Sequence, residues 1–249
     1  MSGHSKWNSI KHKKGAADAK RGKVFTVHAK MIAMAARNGG DPDMNPSLRT
    51  AIDRAKADNV PNNNIERAVK KGSGADKDAA NYEELTYEAI GPGGTAFMID
   101  VITDNKNRSL TNVRSILSKG GGNLGSAGSV GWKFDKKAFL LVDVVGKSAE
   151  DAELELMDSG ADDILEADGK FEIYAAPERF NLVKQAVLDM GYKVEKDELI
   201  WQAKDEVKVT DLDLGKKLVS LMEKLDDDED VSCVSSDADF DESVLAELG

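Results

Sequence analysis

Through the first seventy or so residues, apolar positions recur with a helical period, and then the pattern changes. Each helical residue turns by about 100°, so positions three, four and seven apart share a face. On that spacing Val24, Phe25, His28, Met31, Ile32, Ala35 and Ala36 fall on one arc. A helix over 16–38 is predicted, closed by Gly39 and Gly40. Lys23, Lys30 and Arg37 recur every seven residues on the opposite side, beside Val27 and Met34. The simplest reading is one core face and one cationic face.

A second helix is expected to open at Asn45 and Pro46. Asn45 would cap it, and Pro46 would stand at the first helical position, where an N–H is dispensable. Leu48, Ile52 and Ala55 form its apolar stripe. A third should open within 61–64, where Asn63 and Glu66 have capping-box spacing. Ile65, Ala68 and Val69 would face inward, and Gly72 would close the helix in the left-handed conformation.

After a polar stretch over 73–80 the pattern becomes mixed. Residues 85–90 and 95–103 read as strands around Gly91-Pro92-Gly93-Gly94. Residues 108–119 read as a helix with Leu110, Val113, Ile116 and Leu117 inward, and 129–134 as a strand. From 138 onward a full β-α-β-β-α-β order follows: strand 139–145, helix 148–159, strands 164–166 and 171–174, helix 177–190, and a strand within 192–203. Asp168-Gly169 marks the central hairpin. The remainder, 205–249, shows one helix carrying Leu214, Leu218, Leu221, Met222 and Leu225, and one strand over 231–235. That piece is too small to bury its own apolar face.

The expected fold is therefore α+β, with an N-terminal three-helix domain followed by two α/β domains, one ferredoxin-like and inserted in the other. The boundaries are 1–80 for the helical domain, 81–135 plus 205–249 for the discontinuous domain, and 136–204 for the insertion.

Composition narrows the function. No apolar run in the 249 residues approaches the ~20 a membrane span needs. The opening MSGHSKWNSIKHKK has no apolar core, so no secretory leader is expected. Cys233 is the only cysteine, which leaves no internal disulfide and no cysteine zinc site, and suits a reducing cytoplasmic setting. The net charge of −11 is unevenly spread. Residues 1–71 hold 15 Lys and Arg against 6 Asp and Glu, whereas 72–249 hold 19 against 39. A basic arm on an acidic body points to a polyanionic partner for the arm alone.

Catalytic and cofactor motifs fail in context. Gly120 to Gly125 matches a dinucleotide fingerprint in letters but follows a helix, so it reads as a helix end and turn. Gly146-Lys147-Ser148 lacks the first glycine of a phosphate loop, since position 141 is Leu141. Ser129 resembles a nucleophile elbow, yet His4, His12 and His28 all precede it, against hydrolase order. The run 226–230 reads as a solvated acidic loop. Asp237, Asp239 and Asp241 begin like a calcium loop, but Glu242 and Leu248 stand where Gly and Glu are needed. His28 reads as a hydrogen-bonded core histidine. Asp104 to Arg108 reads as turn and cap, with phosphate binding by Lys106 and Arg108 as the alternative. No enzyme, cofactor or metal is expected.

The chemistry that survives is cationic. Lys6, Trp7, Lys11, His12, Lys13, Lys14, Lys20, Arg21 and Lys23 crowd the start, followed by Lys30 and Arg37. Cations bind phosphate through charge and counterion release. Trp7 can stack on an unpaired base or pack on the helices. Residues 1–15 have little apolar periodicity and read as a flexible tail when unbound.

The stretch GHSKWNSIKHKKGAADAKRGKVF resembles the N-terminal signature of the YebC/PmpR family. The likeness continues through NGGDPDMNPSLRTAIDRAKADNVPNNNIERAVKKG, YEELTYEAIGPGG, TDNKNRSLTNVRSILSKGGGNLG and GSVGWKF. It implies a three-domain fold and a non-enzymatic regulator. Family members are described as DNA-binding transcriptional regulators, or, in the mitochondrial translational activator and relatives tied to stalling at proline-rich stretches, as translation factors. The expected partner is nucleic acid, either DNA or ribosomal RNA and tRNA on the ribosome, met by a monomer away from membranes.

Overall fold

The computed structural model describes residues 17–74, 81–144, 146, 148–167 and 169–248. Helices α1 (Ala17–Ala36), α2 (Pro46–Ala57) and α3 (Asn62–Gly72) pack around Ile32, Ala36, Leu48, Ala55, Val60, Ile65 and Ala68. Asn45 does two jobs. Its Oδ1 accepts from the Leu48 N–H at 3.1 Å, which caps α2. Its Nδ2 donates to the Ala35 and Gly39 carbonyls at 2.8 Å each, tying the start of α2 to the end of α1.

Two local expectations change. Asn63 lies inside α3, which starts at Asn62 without a side-chain cap; the Pro61 carbonyl takes the Asn64 and Ile65 N–H groups instead. Gly72 is the last residue of α3 and does not adopt a positive φ. A Cβ there would stand 2.1 Å from the Ala33 carbonyl oxygen, so the glycine lets α3 approach the backbone of α1.

The first sheet has the order β3-β1-β2-β9, with all its pairings antiparallel. Its strands are β1 (Glu83–Ile90), β2 (Ala96–Thr103), β3 (Asn123–Leu124) and β9 (Val231–Ser236). Helices α4 (Lys106–Lys119) and α7 (Leu212–Asp226) cover one face, burying Phe97, Ile99, Val113, Leu117, Leu218 and Met222. The end of the chain thus completes a domain begun before the insertion. It also adds elements that hydrophobic periodicity does not reveal: β8 (Val207–Val209) pairs in parallel with β10 (Ala238–Phe240), and α8 (Glu242–Leu248) follows.

The expected strand over 129–134 is a turn. Residues Gly131–Lys133 form one 3₁₀ turn, and strand β4 (Phe134–Asp143) opens only after it. The insertion continues with α5 (Ala149–Met157), β5 (Asp163–Ala167), β6 (Lys170–Ala175), α6 (Phe180–Asp189) and β7 (Lys193–Ala203). Sheet order β5-β6-β4-β7, antiparallel throughout, makes this unit ferredoxin-like. Successive strand residues point to opposite faces. Leu140, Val142, Phe171 and Ile173 therefore face α5 and α6, whereas Phe139, Tyr174 and Ile200 face the other way and meet Cys233 of β9. Trp201 stitches the two sheets, donating its backbone N–H to Ser235 Oγ at 3.2 Å and its indole N–H to the Asp100 carboxylate at 3.1 Å. Burial raises the pKa of the Cys233 thiol at this seam.

Candidate nucleic-acid interface

The heptad-spaced cations of α1 do not point at a ligand. Lys30 is 7% exposed. Its ammonium has three protons, and each meets an acceptor in the first sheet domain: the Ile102 carbonyl at 3.0 Å, the Glu229 carbonyl at 2.6 Å and Asp230 Oδ1 at 2.7 Å. Lys23 pairs with Asp226 at 3.7 Å. Arg37 is exposed, but its guanidinium donates to the Tyr82 carbonyl at 2.6 Å. On α2, Arg54 pairs with Asp197 of the insertion at 3.3 Å and lies 4.3 Å over the Phe180 ring. The side of α1 expected to hold phosphate is thus a docking face for the protein's own acidic domains. Lys30 in particular is withdrawn from phosphate contact, because its donors are used and its head is buried.

The acidic run at 226–230 is only partly solvated: Asp227 and Glu229 are exposed, but the run ends on a buried carboxylate. Asp230 is 3% exposed. Beside Lys30, its carboxylate accepts from Arg108 Nη2 at 2.8 Å, Arg108 Nε at 3.2 Å and Ser109 Oγ at 2.6 Å. Burial alone would push its pKa up. The hydrogen bonds from Lys30, Ser109 and Arg108, with the Lys30 charge, outweigh burial together and lower it to about 2. Arg108 also meets Asp104 at 2.9 Å, and Lys106 meets Glu83 at 2.7 Å. The turn at 104–108 therefore serves this internal network, and its amide Asn105 caps α4 by accepting from the Arg108 N–H.

His28 is buried on the core side of α1 with its Nε2 2.5 Å from Asp58 Oδ2. Lys6, Trp7, Lys11, His12, Lys13 and Lys14 lie outside the described residues. Lys20 belongs to the first turn of α1, and Arg21 follows it on an exposed position.

A second cationic face was missed in the sequence. On α3, Asn63, Arg67 and Lys70 are exposed, and spacings of four and then three residues place them in one stripe, with Glu66 beside it. Their signal was present as a helical repeat of polar residues opposite Ile65 and Ala68. Arg67 bonds back to Asn64 Oδ1 and, at 3.4 Å, to the Asn63 carbonyl. Four residues, 58–61, join α2 to α3, and Asn59 among them takes φ 58°. Asn tolerates that left-handed turn better than most residues.

Among the described residues, no group of three or more His, Cys, Asp and Glu side chains is placed to hold a metal ion. No described helix is long and apolar enough to cross a membrane.

Comparison with known proteins matches two family models. Residues 5–75 match the TACO1/YebC protein N-terminal domain, and residues 82–238 match the TACO1/YebC second and third domain. Relatives named "Probable transcriptional regulatory protein" include one from Desulfosudis oleivorans, 48% identical over 98% of this chain and 99% of its own. Another, from Maridesulfovibrio salexigens, is 46% identical over 100% of this chain and 99% of its own. A crystal structure of a conserved hypothetical protein from Aquifex aeolicus superposes with a TM-score of 0.84 at 37% identity, covering 94% of this chain and 96% of that one. These names describe a regulator and not an enzyme. With both halves of the chain matched and relatives aligned end to end, the protein is a member of the TACO1/YebC family.

Proposed function

We propose that the protein is a non-enzymatic, nucleic-acid-binding regulator of gene expression, acting on DNA as a transcriptional regulator. One observation carries the reading: cations are concentrated in residues 1–71 on a chain that is otherwise strongly acidic. Phosphate attracts such an arm and repels the body, so binding is strongest at that end. Lys6, Trp7, Lys11, His12, Lys13, Lys14 and Lys20, with the exposed Arg21, are the proposed contacts, whereas Lys23, Lys30 and Arg37 bond within the protein. The α3 stripe supports DNA specifically. Arg and Asn are the side chains that read guanine and adenine edges in the major groove. The four-residue link between α2 and α3 also has the length used by helix-turn-helix units. The relatives' printed name, "Probable transcriptional regulatory protein", supports a role in transcription.

A second reading, a ribosome-associated translation factor that relieves stalling at proline-rich stretches, is favoured by Trp7 among Gly3, His4, Lys6 and Lys11. An aromatic ring among cations and glycine suits unpaired, irregular RNA. Both readings place the protein in the cytoplasm as a cofactor-free monomer.

Sedimentation of lysate through sucrose, with and without nuclease, separates them. Retardation of promoter DNA by the protein, with no co-migration with ribosomal particles, supports transcription; nuclease-sensitive co-migration supports translation. A variant with Lys6, Lys11, Lys13 and Lys14 changed to Glu should lose whichever interaction the wild type shows. Unchanged binding by that variant would overturn the assignment of the basic arm.

A further inference from the structure

The glycine-rich segment 125–133 has no part in the interface above, yet it is built with unusual care. Glu88 of β1 reaches into it, and its carboxylate accepts the backbone N–H groups of Gly128 at 2.6 Å, Val130 at 2.7 Å and Gly131 at 2.6 Å. Burial would raise the pKa of this carboxyl, but those three bonds outweigh it and lower the pKa. The loop packs so closely that a Cβ at Gly125 would stand 2.2 Å from Ser129 Oγ, and one at Gly131 would stand 3.3 Å from the Glu88 carboxyl.

This rigid mount presents Trp132, which is 67% exposed. Its indole N–H donates to the Ser129 carbonyl at 3.3 Å, which helps fix the ring. Large apolar side chains are normally hidden unless the surface has a use for them. The surroundings are polar and mixed in charge, with two lysines beside the loop, each paired with a carboxylate. The Lys204 ammonium lies 3.1 Å from the Trp132 carbonyl oxygen and also meets Asp135 at 3.2 Å. Lys133 follows directly and pairs with Asp237 at 2.9 Å.

We propose that Trp132 is a stacking platform for an unpaired nucleobase, a second nucleic-acid contact on the otherwise acidic body. The inference rests on the nucleic-acid reading above. A protein hot spot needs a ring of flanking contacts that shuts out water, whereas Trp132 is flanked by glycine, serine and lysine. A base needs only a fixed π-face with cations near the backbone. The position is also remote from where the helical domain docks. The helical domain docks at the Tyr82 and Thr103 end of the first sheet. The Trp132 loop grips β1 near its other end, at Glu88, six residues from Tyr82 or about 20 Å at roughly 3.3 Å per residue.

Fluorescence anisotropy with the full-length chain tests this, using labelled oligonucleotides of about 20 nucleotides as single-stranded RNA, single-stranded DNA and duplex. Trp132→Ala should weaken binding of the preferred single strand about 5- to 150-fold. Trp132→Phe should restore most of that loss, and duplex affinity should not move in either variant. Equal single-strand affinity for wild type and Trp132→Ala overturns the platform and leaves the nucleic-acid reading standing. A parallel loss on duplex and single strand, unrescued by Phe, also overturns it, because that pattern marks structural damage. If the wild type binds none of the three probes, the nucleic-acid reading fails and this site fails with it.

Discussion

Lys30 of α1 and Asp230, the residue before β9, form an ion pair of 2.7 Å in which both side chains are more than nine-tenths buried. They lie 200 positions apart and join the helical domain to the first sheet domain. Removing one member of a buried pair leaves the other charge without its counterion, typically at a cost of about 3–5 kcal/mol. The two halves are not equivalent here. Asp230→Ala strands Lys30 with two carbonyls, whereas Lys30→Met leaves Asp230 with Arg108 and Ser109. Urea unfolding should show the Asp230→Ala loss at about 3–5 kcal/mol and a smaller loss for Lys30→Met. Equal stabilities for both variants and wild type would mean the domains are not held by this pair.

The same carboxylate sets a pH dependence. Its folded pKa, about 2, lies below the ordinary 3.8, so the folded state binds the proton less well than the unfolded chain. Its contribution is therefore present above about pH 4 and is lost as pH falls toward 2. For a shift of this size the contribution is about 2 kcal/mol. Acid titration of stability should be shallower between pH 4 and 2 in Asp230→Asn than in wild type. Parallel curves would show that Asp230 titrates normally.

Two glycines inside helices give opposite expectations. Gly22 in α1 has open space where a Cβ would go, so Gly22→Ala should stabilise by about 0.5–1 kcal/mol through helix propensity. Gly72→Ala would drive a methyl into the Ala33 carbonyl and should destabilise by about 1–3 kcal/mol despite the same propensity gain. Thermal melts of the two variants, shifting in opposite directions, check the α1–α3 contact.

Glu88→Gln tests the mount beneath Trp132. An amide has one acceptor oxygen for three backbone donors that a carboxylate serves with two. Hydrogen exchange at Gly128, Val130 and Gly131 should quicken while the core strand β2 keeps its protection. Unchanged exchange in the loop would show that Glu88 does not hold it.

The fold was largely legible because its elements are amphipathic. Leu48, Ile52 and Ala55 announce α2, and Asn45 with Pro46 announces its start. The ferredoxin-like order is readable from alternating strands and the Asp168-Gly169 signal. What failed has a common cause. Periodicity says which residues share a face and not what covers that face. Lys23 and Lys30 were correctly placed on one side of α1, but the sheet and the loop at 226–230 that cover this side come from the far end of the sequence. Gly72 looked like a helix terminator because its real neighbour, Ala33, is on another helix. Strands β8 and β10, three residues each, are too short for any period to register. Of the proposed interface, the cationic arm was visible as composition, while the α3 stripe needed the helix boundaries to be seen.

The dependence of nucleic-acid affinity on salt tests the electrostatic core of the proposed function most directly. For duplex DNA, the slope of log affinity against log salt is about −0.9 per phosphate contact. With Lys6, Lys11, Lys13 and Lys14 changed to Glu, the slope should become shallower by about 3–4. A slope that stays the same, or a wild-type affinity indifferent to salt, would contradict phosphate binding by the basic arm.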